Sequence, residues 1–211
     1  MPSPGSPSQP TARPAPRPED AILLHACCGP CSITPVLRLR DLGLCPTLYF
    51  YNPNIHPLSE YLRRREGLLA VAARLDAPVL FADGSDPQAA HPGPWLQNVA
   101  PLAAQGDSRC HACYALRLDQ TARTAAALGF ARFSTTLLYS KYQKHEAIRE
   151  AGQAAATACA FLYEDFRPGW SRGITLSKDW GIYRQQYCGC LLSEYERYKG
   201  ALTPDASRPA P

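Results

Sequence analysis

The stretch Ile22-Leu23-Leu24-His25-Ala26-Cys27-Cys28-Gly29-Pro30-Cys31-Ser32 constrains the chain most, because a short apolar run stops there at three cysteines and a Gly-Pro turn. Ala21 to Ala26 has the length of a fully buried strand, and Gly29-Pro30 followed by Ile33, Val36 and Leu37 predicts the start of a helix. Cys27, Cys28 and Cys31 are therefore expected at a strand-to-helix turn. In open α/β sheets the crevice outside the strand ends is where ligands bind, and a helix N-terminus there favours thiolates by lowering their pKa. Such a place suits a metal or redox centre.

The rest of the chain reads as a continuation of that unit. The first helix should end near Gly43, and Pro46 to Tyr51 predicts a second buried strand running into the turn Asn52-Pro53-Asn54. Leu58, Leu62, Leu69 and Ala72, with Leu68 and Leu75 alongside, recur at helical spacing, which puts Arg63, Arg64 and Arg65 partly on the opposite face, either as a solvated surface or as phosphate contacts. Pro78 to Ala82 is a third strand. A Pro/Gly-broken loop around Asp83 to Gly93 then leads to Cys110 and Cys113, and the helix after Cys113 should carry Leu118, Ala122 and Ala125 inward and end at Gly129. Arg132 to Thr136 makes a fourth strand, Ser140-x-x-Gln143 has the form of a capping box opening the next helix, and Ala160 to Tyr163 supplies a fifth strand. Strands alternating with helices at this rhythm predict an α/β three-layer sandwich with a parallel sheet of about five strands.

Residues 1–18 hold seven prolines among Ser, Gly, Gln and Ala, too little apolar surface to order a segment. The expected organisation is thus a disordered proline-rich tail over 1–18, a single α/β catalytic domain over 19–200 and a flexible C-terminal tail over 201–211. No apolar run approaches the length of a membrane span, and the N-terminus lacks the basic-then-apolar order of a secretory signal, so a cytoplasmic protein with no membrane partner is expected. In a reducing compartment the nine cysteines argue against a disulfide framework, and the five in Cys27-Cys28-x-x-Cys31 and Cys110-x-x-Cys113 point to metal or redox work. Cys45 and Cys159 read as structural, and His25 and His111 are not needed as ligands. A net charge of +4 is compatible with a nucleic-acid partner without requiring one.

Four thiolates drawn from Cys27, Cys28, Cys31, Cys110 and Cys113 suit an iron-sulfur cluster or a zinc ion. Adjacent Cys27 and Cys28 fit neighbouring irons of a cubane better than the spaced knuckle usual for structural zinc. Cys188-Gly189-Cys190 is a thiol site of another kind. Two cysteines separated by glycine can close a small strained disulfide, a labile redox pair; extra metal ligands and inert thiols are the other readings.

Six stretches together, His25-Ala-Cys-Cys-Gly-Pro-Cys31, Tyr49-Phe-Tyr-Asn-Pro-Asn-Ile-His-Pro57, Arg109-Cys-His-Ala-Cys-Tyr114, Phe133-Ser-Thr-Thr-Leu-Leu138, Asp165-Phe-Arg-Pro-Gly169 and Tyr183-Arg-Gln-Gln-Tyr-Cys-Gly-Cys190, resemble the QueH family of cobalamin-independent epoxyqueuosine reductases. The motifs run in family order from about residue 21 to 195. The resemblance implies an oxidoreductase that reduces epoxyqueuosine to queuosine at the wobble position of tRNA, the last step of that modification. It also implies a 4Fe-4S cluster, a nearby mononuclear metal (iron), a redox-active cysteine pair, an external electron donor, and a fold similar to the adenine nucleotide α-hydrolases. Carried over motif by motif, the cluster ligands are Cys27, Cys28, Cys110 and Cys113, the redox pair is Cys188 and Cys190, and Cys31 is a free thiol or a ligand of the second metal.

Phosphate and anticodon contacts are assigned to Arg63, Arg64, Arg65, Lys141, Lys144 and Arg167, with Tyr51, Tyr142, Trp170 or Tyr187 available to stack on unpaired bases. Two readings from other classes compete: a zinc-stabilised RNA-binding module without catalysis, and a thiol oxidoreductase acting on proteins through Cys188 and Cys190.

Overall fold

The computed structural model describes residues 18–82 and 90–202. The expected tails, up to residue 17 and beyond residue 202, lie outside the described residues, as does most of the loop that follows the third strand. Five parallel strands, β1 (Ala21–His25), β2 (Cys45–Phe50), β3 (Val79–Phe81), β4 (Arg132–Thr135) and β5 (Ala160–Phe161), form one sheet in the order β3-β2-β1-β4-β5. Ile22, Leu23 and Leu24 are all fully buried, as a central strand covered on both faces requires. Complete burial of such side chains contributes roughly 1.5–3 kcal/mol each.

Seven helices accompany the sheet among the described residues: α1 (Gly29–Asp41), α2 (Leu58–Leu75), α3 (Gly93–Val99), α4 (Asp107–Ala127), α5 (His145–Ala155), α6 (Trp170–Asp179) and α7 (Leu191–Tyr198). α1 packs on α2 and α6, and α4 packs on α5. Right-handed crossovers put these two groups on opposite faces, giving the expected α/β three-layer sandwich. Arg40 ties the first pair together by donating to the carbonyls of Leu75 (2.6 Å) and Asp76 (2.9 Å) at the end of α2. β1 lies between β2 and β4, so the chain leaves its C-terminal end toward one face and leaves β4 toward the other. This is the switch point at which doubly wound sheets open a crevice.

Three local expectations are corrected. The inward face of α2 is Glu60, Tyr61, Arg64, Leu68, Val71 and Ala72, whereas Leu58, Leu62 and Leu69 are exposed, because an ion pair occupies the inner face where the pattern predicted leucines. Cys110 and Cys113 do not sit on a loop before a helix but inside the first two turns of α4, which begins at Asp107. Ser140 opens no helix. Its Oγ accepts from the backbone N–H of Tyr142 (3.2 Å) in a turn, and α5 starts only at His145. Among the described residues, no helix is long and apolar enough to cross a membrane.

Candidate active site

The turn after β1 sets the first group. Cys28 takes an extended conformation as the residue before α1, and the Sγ atoms of Cys27, Cys28 and Cys31 all lie within 4.8 Å of one another. Gln185 closes this group from a distant segment, donating through Nε2 to Cys28 Sγ (2.8 Å) and Cys31 Sγ (3.3 Å). Thr136, just past β4, accepts from the Cys27 N–H (3.4 Å) and directs its hydroxyl to Cys27 Sγ (3.7 Å). Hydrogen bonds from Cys28 and Cys31 hold the Cys27 thiol well below its ordinary pKa, with His25 and Arg64 adding to the effect. Burial pushes Cys28 up, and hydrogen bonding to the other two thiols pushes Cys31 up.

His25 supports this turn without facing it as a ligand. Its Nε2 lies 3.1 Å from the Tyr51 carbonyl, which only an N–H can satisfy, and its Nδ1 lies 2.9 Å from the Thr135 hydroxyl. Thr135 Oγ1 already accepts from Leu137 N–H, so its own proton is free for Nδ1. Burial, then Arg117, lower the His25 pKa to about 4, which keeps the ring neutral.

The second group comes from α4 and from the loop before α7. Cys113 is buried against Trp95, whose Nε1–H donates to its Sγ (3.2 Å), and burial raises its pKa to about 11. Cys190 precedes α7 and accepts from Ser193 N–H (3.3 Å); it packs on the Trp95–Val99–Cys113 cluster. Burial raises Cys188 as well, while Gln143 Nε2 approaches its Sγ at 3.6 Å. Cys188 and Cys190 are free thiols in this structure. Gly189 between them has φ +130°, and a Cβ there would meet Ile55 Cγ1 at 3.0 Å and Arg64 Nη1 at 3.2 Å, so the motif admits only glycine.

Both groups open on one cavity of about 750 Å³ at the switch point, lined by Cys27, Cys31, Cys110, Cys113, Cys188 and Cys190, with Cys28 buried just behind it. Two buried arginines stand beside the thiols. Arg64 pairs with Glu60 (2.7 Å) and donates to the carbonyls of Cys188 (2.9 Å) and Tyr187 (3.1 Å), while Tyr183 hydroxyl holds the other Glu60 oxygen (2.6 Å). Arg117, on the cysteine face of α4, donates through Nε to the Cys113 carbonyl (3.2 Å) and lies over the Tyr114 ring, and its Nη1 and Nη2 have no hydrogen-bond partner among the described residues. Although burial opposes its charge, Cys113, Cys188 and Cys27 hold its pKa above the ordinary value.

These positions sort the residues singled out from the sequence. Arg64 is buried in a staple and is not a surface phosphate contact; Arg63 is exposed over the Tyr183 ring, and Arg65 is half-buried over Phe81. Lys144 pairs with Asp107 and Arg167 with Asp165. Tyr51 is buried at the end of β2, stacked on Tyr49, rather than free for a base, and the Tyr187 hydroxyl is bound to the His56 carbonyl (2.8 Å). Cys159 is buried, its thiol directed at the Ala122 carbonyl, in keeping with a structural role. Sequence reasoning missed Trp95, Arg117, Thr136 and Gln185. The spacing Cys110-x-x-Cys113-x-x-x-Arg117 places all three on one helix face, and that signal was available.

Residues 22–196 match the family model described as "Epoxyqueuosine reductase QueH". The chain is similar to the epoxyqueuosine reductase QueH of Dehalococcoides mccartyi, at 36% identity over 185 residues covering 87% of this chain and 97% of that one. It is equally similar to the enzyme of the same name from Thermotoga maritima, 36% identical over 182 residues covering 83% and 91%. The Acinetobacter baylyi protein of that name is 32% identical over 181 residues, covering 82% and 80%. A parallel sheet whose switch point gathers six cysteines, and a family match across nearly all of the described chain, lead to one conclusion: the chain belongs to the epoxyqueuosine reductase QueH family of oxidoreductases.

Proposed function

We propose that this protein reduces epoxyqueuosine to queuosine at the wobble position of tRNA, using an iron-sulfur cluster held in the cysteine cavity and a redox-active pair formed by Cys188 and Cys190. The observation that carries the reading is the cavity itself: six thiols and a buried guanidinium whose two terminal nitrogens make no hydrogen bond among the described residues. Uncompensated buried charge costs several kcal/mol, so Arg117 fits a site whose occupant is anionic, as a metal cluster ligated by thiolates is. Cys27 and Cys28 come from the β1–α1 turn and Cys110 and Cys113 from the first turns of α4; Cys27, Cys110 and Cys113 line the cavity and Cys28 lies just behind it, which is compatible with a four-thiolate donor set. Cys31, close to Cys27 and Cys28 yet outside that set, is the candidate ligand of a nearby mononuclear iron.

When bound, such a cluster supplies electrons one at a time from an external donor. The chain's own groups account for the remaining requirements. Converting an epoxide to an alkene breaks two C–O bonds, takes two electrons and two protons, and releases water. Oxidation of the two thiols at Cys188 and Cys190 to a disulfide delivers both electrons and both protons, and the external donor then restores the dithiol. Burial keeps the Cys188 thiol protonated, so it carries a proton into the reaction. Gln143 orients toward that sulfur and is itself fixed by Tyr114, whose hydroxyl donates to its Oε1 (2.6 Å). Arg64 holds the Cys188 carbonyl and so fixes the loop. Among the arginines considered for tRNA, Arg63, exposed on α2, is left as a phosphate contact.

Anaerobic incubation with tRNA carrying epoxyqueuosine and a reductant, followed by nucleoside mass analysis, tests the reading. The expected product is the nucleoside lighter by one oxygen. Intact epoxide after incubation with iron-loaded protein would reject the assignment.

A further inference from the structure

Along the wall of the same cavity, three aromatic rings are arranged in a way that the chemistry above does not use. Tyr139 stacks on Trp170 with ring centroids 5.0 Å apart and planes at 25°, and its hydroxyl donates to the Trp170 carbonyl (3.0 Å). Tyr139 is 1% exposed and lies so close to α6 that a Cβ on Gly173 would come within 2.4 Å of its hydroxyl oxygen. The inner end of the stack is therefore rigid. Its outer end is open: Tyr142 meets the Trp170 ring edge-on at 5.8 Å, yet is 84% exposed. The turn that presents it is fixed by the bond from its N–H to Ser140 Oγ.

A positive charge accompanies the rings. Lys141 Nζ sits 5.6 Å from the Trp170 centroid and forms no ion pair among the described residues, whereas neighbouring Lys144 and Arg167 are committed to Asp107 and Asp165. Tyr139, Tyr142 and Trp170 all border the cysteine cavity, so whatever rests on them adjoins whatever reacts inside. An exposed aromatic face with an adjacent free cation is the combination that holds an unpaired base and its phosphate, and stacking of this kind contributes about 1–3 kcal/mol per base.

We propose that Tyr142, supported by Trp170 and flanked by Lys141, is a stacking shelf for an unpaired RNA base next to the nucleotide that enters the cavity. The proposal rests on the tRNA reading above, and its test requires no turnover, so the two fail separately. Fluorescence anisotropy would compare a labelled, unmodified anticodon stem-loop with a fully paired RNA duplex of the same length. Tyr142→Ala should weaken stem-loop binding about 5- to 160-fold, from the stacking range above, while leaving duplex binding and thermal unfolding as they were. Tyr142→Phe should restore most of the loss, because a phenyl ring stacks as well. Lys141→Ala should reduce the slope of log affinity against log salt by about one. Stem-loop binding unaffected by Tyr142→Ala, equal weakening for loop and duplex, or no stem-loop binding by the wild type would overturn the shelf.

Discussion

Arg64 and Arg117 are buried equally, each 1% exposed, and flank the same cysteine cavity, yet their surroundings differ completely. Arg64 has a carboxylate and two carbonyls, so its charge and its donors are satisfied within the chain. Arg117 has one carbonyl and the Tyr114 ring, and its two terminal nitrogens make no hydrogen bond among the described residues. The first is therefore a staple that fastens the Cys188 loop to α2. The second, on the reading proposed above, is a countercharge to an acquired anionic group. Equal burial of the same residue type thus marks two roles, which the count of satisfied donors separates.

The largest effect comes from removing a thiol on the Arg117 side. Cys113→Ala should lose cluster iron and turnover together, measured as iron per chain after anaerobic reconstitution, because an incomplete thiolate set leaves iron exposed. Cys188→Ser, on the side that Arg64 staples, should keep near-normal iron and lose turnover, since it removes an electron source rather than a cage member. Loss of iron from both variants would dissolve the distinction between cluster ligands and redox pair.

Arg64→Ala should destabilise the fold by about 3–5 kcal/mol, the cost of stranding one partner of a buried pair. For a domain of this size, that corresponds to a Tm fall on the order of 10 °C. Adding Glu60→Leu to Arg64→Met should recover much of it, as apolar replacement of a whole buried pair is often neutral. Thermal unfolding read by circular dichroism checks both. The smallest effect belongs to Arg63, one residue away but exposed over the Tyr183 ring, where Arg63→Ala should change stability by less than about 1 kcal/mol. A large loss there would mean that the outer face of α2 carries more of the fold than its exposure implies.

Much of this architecture was legible in the sequence where apolar burial alone decides structure. Ile22 to Leu24 and Leu48 to Phe50 read as buried strands because parallel strands covered on both faces need unbroken apolar runs. The phase of α2 was not legible, since its inner face is built on the Glu60–Arg64 pair, and a hydrophobic pattern assigns charges to solvent. The family stretches marked the cysteines, but not the groups that surround them. Arg117 was marked only by its spacing from Cys110 and Cys113, which needs the helix to start before Cys110, at Asp107, and Gln185 reaches Cys28 from 157 residues away, a contact that no local signal encodes. Ser140 and Gln143 resembled a helix cap because spacing alone cannot distinguish a cap from a turn whose glutamine reaches toward Cys188.

The central claim, that this cavity is built around an anionic metal–thiolate cluster, is tested most directly by the thermal stability of Arg117→Leu in two states. In the iron-free protein the substitution removes a buried guanidinium whose two terminal nitrogens make no hydrogen bond among the described residues, and should raise Tm, by about 1–3 kcal/mol in stability terms. In the anaerobically reconstituted protein it removes the cluster's countercharge and should lower Tm. A shift of the same sign in both states, with iron content matched to wild type, would contradict the claim.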